Sequence, residues 1–211
     1  MYVESDILNG IDPYSNSKSC SELITECYKK SFFNERNIGI STARAGNVLG
    51  GGDFSRDRLI PDCFKHTLKN ESIIIRNPNS IRPFQHVLDA LFAYLLIVEK
   101  QYLNNDLADN YNIGPEEEDC ISSSEIANLF CKYWGDKASW KAQNDDGPYE
   151  AKYLKLDSSK IKKQLGWKQV WHIDRTIKET VNLYKLCSTN ENIEKFMDEQ
   201  IELFRKENEN V

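Results

Sequence analysis

The segment Tyr14-Ser-Asn-Ser-Lys18 carries the pairing best suited to chemistry. Side chains four apart share one face of a helix. A free phenol ionises near pKa 10, so only about 0.1% is phenolate at pH 7. An ammonium one turn away favours the phenolate. That turns a tyrosine into a base toward an alcohol. The spacing also recurs by chance on exposed helices, so its surroundings must carry the argument. Asp12-Pro13 precedes the tyrosine, as a turn entering a helix requires.

Three more polar residues stand in suggestive places. Asn47 lies beside the run Gly50-Gly51-Gly52, where a turn role is the plain alternative. Arg58 stands at the start of a helical stretch, and Arg82 precedes Pro83. Read plainly, Arg58 pairs with Asp62 at i,i+4, and Arg82 is a surface arginine. Asn112 reads as a turn residue, and Glu116 to Asp119 as a solvated acidic loop. His66, His86 and His172 lack ligand spacing, so no metal is expected. The four tryptophans read as core.

These residues need elements to hold them. Residues 15–36 read as a helix with Leu23, Ile24, Cys27, Tyr28, Phe32 and Phe33 at helical spacing. IGISTARAGNV reads as a buried strand entering a glycine-rich loop. Residues 58–69 suit a helix, with Pro61 in its first turn. SIIIR reads as a strand. Residues 87–99 are apolar almost all round, which predicts a buried helix. DNYNIG and KYLKLD read as strands, Ser122 or Ser123 as a helix cap, and Gly166 as a helix stop. The last forty residues are amphipathic, with Ile173, Ile177, Val181 and Tyr184 on one face. Alternating helices and strands predict an α/β layered fold.

The 211 residues carry 27 basic and 33 acidic side chains, a net charge of −6. That balance argues against a nucleic-acid binder. No apolar run reaches the roughly 18–20 residues of a membrane helix. The first residues lack a signal-peptide pattern. Six cysteines without a C-x-x-C pair read as free thiols in a cytoplasmic protein.

The order of Y-x-x-x-K, helix, strand, Arg44-Ala-Gly-Asn47 and glycine loop resembles the extended short-chain dehydrogenase/reductase superfamily. The segments DPYSNSKSCSELI, ARAGNVLGGGDFSRDRLIPDC and IIIRNPNSIRPFQHVLDALFAYLLIVEK closely resemble the CDP-glucose 4,6-dehydratases, as do YNIGPEEED, KLD and LGW. The resemblance runs from about residue 2 to residue 187. Phe84 replaces a usual tryptophan, and Tyr149 a histidine expected before Glu150.

The resemblance implies an NAD-dependent lyase acting on a CDP-sugar. Tyr14 would be the catalytic base, with Lys18 assisting it and both touching NAD. Asn47, Arg58 and Arg82 would contact the substrate. Residues 1–57 would be a remnant of the NAD-binding Rossmann domain. Residues 58–211 would be mainly a small α/β substrate-binding region, with the helix at about 87–100 packing back on the Rossmann part. Nucleotide-sugar epimerases or reductases of the superfamily, and a non-catalytic nucleotide-sugar-binding remnant, are the alternatives.

No G-x-x-G-x-x-G or G-x-G-x-x-G follows a leading strand. The family's Thr/Ser-Asp-Lys segment before the tyrosine is also not present. The chain therefore reads as the C-terminal portion of such an enzyme. A homodimer, or a separate chain supplying the other half, is the expected assembly. The isolated chain is expected to fold poorly or aggregate, because a parallel sheet without its first strands exposes apolar edges.

Overall fold

In a computed structural model, residues 1–135, 138–143, 153–189 and 192–209 are described. Three parallel strand pairs alternate with helices, giving the expected α/β class. The chain divides into two interleaved units. One comprises Met1–Ala45, Leu91–Ile113 and Leu156–Trp167; the other comprises Gly46–Ala90, Gly114–Lys155 and Lys168–Val211. A single cut after residue 57 does not coincide with this division. Parallel pairing brings together strands distant in sequence, so each unit gathers several segments.

In the first unit, α1 (Pro13–Tyr28) leads to β1 (Thr42–Ala45). β1 pairs with β5 (Asn110–Ile113), Thr42 opposite Asn110 and Ala45 opposite Ile113. The end of α3 (Val87–Leu103) and α5 (Ser159–Leu165) complete it. Ala93, Ile97, Tyr111, Ile113, Ile161, Leu165 and Trp167 form its core. Tyr111 Oη donates to the Leu107 carbonyl at 2.6 Å and lies 3.1 Å from Gln164 Oε1, and burial pushes the phenol up to about 12. Gly166 stops α5 in the left-handed conformation at φ 77°.

In the second unit, β2 (Asn47–Leu49) pairs with β4 (Phe84–His86). β3 (Ile73–Ile75) pairs with β6 (Trp140–Ala142). Around them lie α2 (Leu59–Leu68), α4 (Ser123–Trp134), α6 (Ile173–Thr189) and α7 (Ile193–Asn208). Ile60, Phe64, Ile73, Phe84, Phe130 and Ile177 belong to one buried cluster. Ser122 caps α4 in a reciprocal capping box with Glu125.

Several local expectations are corrected. Of the expected strand KYLKLD, residues 153–157 are described and form isolated bridges, Tyr153 with Ile81 and Leu156 with Tyr2. The apolar helix at 87–99 is not buried all round, since Leu95 is 70% and Val98 58% exposed. Asn112 is buried within β5, where its side-chain N–H donates to the Tyr2 carbonyl at 3.0 Å. Asp119 is buried, not solvated. It accepts from the Ile173 backbone N–H at 3.0 Å, from Gln169 at 2.8 Å, and pairs with His172 Nδ1 at 2.7 Å. It thereby satisfies an orphan donor at the start of α6.

Candidate active site

The Tyr14–Lys18 pair is set by the start of α1. Asp12 is the N-cap and accepts the Ser15 backbone N–H at 3.0 Å, while Pro13 occupies the first turn. The capping bonds from Ser15 hold the Asp12 carboxyl below its usual range. Lys18 Nζ lies 5.4 Å from the centroid of the Tyr14 ring, and Tyr14 is 72% exposed. No residue of α1 is fully buried.

What fixes α1 is polar. Arg44 on β1 donates to Glu22 through Nε at 2.9 Å and Nη2 at 3.1 Å, and Thr42 Oγ1 donates to it at 2.8 Å. Partial burial pushes the Glu22 carboxyl up, but these donors together hold it below the usual carboxylate range. Lys29 ties the far end of α1 to the Ala108 carbonyl at 2.9 Å.

Asn47, Arg58 and Arg82 lie in the second unit. The β2–β4 register puts the Asn47 backbone N–H 2.9 Å from the Pro83 carbonyl, next to Arg82. Arg82 is buried, which removes the surface reading. Phe84 is buried in the core cluster, so its aromatic ring serves packing. Tyr149 and Glu150 lie outside the described residues.

Arg58 is the N-cap residue of α2 and does not pair with Asp62. Its Nη1 donates to Asp53 at 3.0 Å, while Asp62 pairs with Lys65 at 3.4 Å. Asp53 also accepts the Ser55 N–H at 2.9 Å. Some burial raises the Asp53 carboxyl, but Ser55 and Arg58 outweigh it and hold it below its usual range. Sequence reasoning missed Asp53 as the partner. The run Asp53-Phe-Ser-Arg-Asp-Arg58 contained the signal, but an irregular loop has no periodicity to expose it.

Gly50 and Gly51 serve packing, while Gly52 stands in open space with φ at 87°. A Cβ on Gly51 would stand 2.1 Å from Leu183 Cδ2, and one on Gly50 2.8 Å from Val87 Cγ1. The loop 53–58 then intervenes before α2. Among the described residues, no strand runs through a glycine-rich turn directly into a helix. The glycine run does not enter a helix N-terminus, the arrangement a dinucleotide pyrophosphate needs. Among the described residues, no three His, Cys, Asp or Glu side chains converge as a metal site requires.

The profile described as GDP-mannose 4,6 dehydratase matches residues 1–180. The chain belongs to this family. It is 43% identical over 190 residues to the CDP-glucose 4,6-dehydratase of Salmonella typhimurium, covering 87% of this chain and 53% of that protein. Identity to the dTDP-glucose 4,6-dehydratase of Escherichia coli is 25% over 198 residues, covering 90% and 52%. The chain thus spans about half the length of these relatives.

Solved structures share the fold. The UDP-glucuronic acid 4-epimerase of Bacillus cereus, in complex with UDP-glucuronic acid and NAD, aligns with a TM-score of 0.75 at 21% identity, over 87% of this chain and 56% of that one. The dTDP-glucose 4,6-dehydratase of Bacillus anthracis, in complex with NAD, aligns at 0.72 and 20% identity, over 87% and 55%. Among the described residues, no helix of this family member is long and apolar enough to cross a membrane.

Proposed function

We propose that this chain carries the base and the nucleotide-sugar region of an NAD-dependent CDP-glucose 4,6-dehydratase. The observation that carries the reading is the contrast within the family: 43% identity to the CDP-glucose enzyme against 25% to the Escherichia coli dTDP-glucose enzyme. The product would be CDP-4-keto-6-deoxyglucose, with loss of water.

Tyr14 takes the proton of the sugar C4 hydroxyl, and the Lys18 ammonium favours its phenolate. The same two side chains hold the nicotinamide ribose. NAD held by these two side chains would supply a reversible hydride acceptor for the sugar. Asn47 orients the sugar. Arg58 and Arg82 face the diphosphate, whose paired oxygens suit guanidinium donors. The unit of Met1–Ala45, Leu91–Ile113 and Leu156–Trp167 contributes the Rossmann part, and the other unit the substrate part. The pyrophosphate cradle comes from residues other than those described, on the same polypeptide, a second copy or a separate chain. The six free cysteines support a cytoplasmic setting.

A second reading is nucleotide-sugar binding without turnover, favoured by the poor fit of the glycine run to a pyrophosphate. Incubation of CDP-glucose and NAD with the chain, alone and with the N-terminal half of a CDP-glucose dehydratase, separates the two. A dehydrated 4-keto sugar in either mixture supports the enzyme. An epimer points to another branch of the superfamily. CDP-glucose bound without product in both mixtures supports the binding reading.

A further inference from the structure

We infer that Tyr184, near the other end of the sequence, is a positioning residue for the anion-binding arm at Arg58; this rests on the reading of Arg58 as a diphosphate contact. Tyr184 is fully buried on α6, and its Oη donates to the Asp53 backbone carbonyl at 2.5 Å. Its ring is fixed on both sides. Phe64 of α2 stacks at 4.5 Å between centroids, and Phe54 meets it edge-on at 5.9 Å. The hydroxyl therefore has one direction in which to point.

The adjoining residue on α6 seats the same loop, because Gly51 packs directly on Leu183. Asp53 is held by its main chain to α6 and by its carboxylate to Arg58 at 3.0 Å. The guanidinium side chain is 65% exposed, so little else restrains it. A long cation in water loses rotamer freedom when it captures an anion. A loop bolted to a helix, with a carboxylate that preselects the rotamer, lowers that loss. Tyr184 touches no substrate in this scheme; its effect passes through Asp53.

The test is CDP binding to the full chain by calorimetry, with cytidine as the phosphate-free control. Tyr184→Phe keeps the ring stack and removes the hydroxyl. Weakening of CDP by about fivefold, with cytidine unchanged, is expected from one lost hydrogen bond acting on Arg58 alone. In an Arg58→Ala background the same substitution has no further effect on CDP. Equal weakening of CDP and cytidine, or full additivity with Arg58→Ala, overturns the inference while leaving Arg58 as a phosphate contact. No effect of Arg58→Ala on CDP, or no CDP binding by folded chain, removes the diphosphate reading and this inference with it. Should Tyr184→Phe unfold, Asp53→Asn replaces it in the same cycle, and additivity there overturns the proposal equally.

Discussion

Arg44 grips Glu22 with two parallel hydrogen bonds of 2.9 and 3.1 Å, joining β1 to a helix that buries no residue fully. Both side chains are about four-fifths buried. Removing one partner leaves the other charge short of its donors or acceptors. Arg44→Met is expected to lower stability by about 1–3 kcal/mol, read as a shift in the urea midpoint. A shift no larger than that of an exposed pair such as Lys30–Glu26 would show that the grip contributes little.

Tyr14→Phe tests the base. The side chain is mostly exposed, so the melting temperature should stay put. In an assembly that turns over CDP-glucose, the rate should fall by about 10²–10⁴-fold or more, with substrate affinity nearly unchanged. Turnover near the wild-type rate would assign the proton to another group.

Asp89 gives a pH dependence with a definite sign. Its carboxylate is buried and accepts the Val170 and Trp171 backbone N–H groups at 2.7 and 3.3 Å. Burial outweighs those bonds and pushes it up to about 7 from an ordinary 3.8. The folded chain then binds more protons than the unfolded one between these values. Stability from this group is full below about pH 4 and falls as pH rises toward 7. Asp89→Asn should flatten that slope in unfolding titrations.

His86 acts in the opposite direction. Burial lowers it from 6.5 to about 3, so it stays neutral in the folded protein while the unfolded chain takes up a proton. Its share of stability is present above pH 6.5 and is lost as pH falls toward 3. His86→Gln should leave a steeper fall of stability with rising pH than the wild type shows, because the opposing slope is gone. An unchanged profile would place the His86 ring in water.

Gly51→Ala should cost about 1–3 kcal/mol by overpacking Leu183. Thermal unfolding measures it. A neutral result would mean that the loop lifts from α6 at little expense.

Local signals were legible where the chemistry is local. The Ser122 cap, the Gly166 stop and the Asp12-Pro13 entry each act within one turn, and the structure uses all three; α1 nevertheless ends at Tyr28, short of the expected residue 36. The Tyr14–Lys18 proximity follows from helix geometry alone. Long-range partners were not legible. Asp53 reaching to Tyr184, and Asp119 to α6, join loops to helices far along the chain, and no spacing rule encodes them. Strand β4, only three residues long, was hidden in the approach to the apolar helix. That helix read as wholly buried because composition reports apolarity and not which neighbours are present.

The interleaving of the two units bears on synthesis. The polypeptide crosses between them after residues 45, 90, 113, 155 and 167. The unit that begins with Met1 is completed only when Trp167 has emerged, so β1 waits for β5 and for α5 while the intervening segments are made. Contacts of such sequence separation slow folding. No single nick separates one unit from the other, and a nascent chain stopped between residues 114 and 155 would hold its β1–β5 pair without the Ile161, Leu165 and Trp167 side chains that seal it.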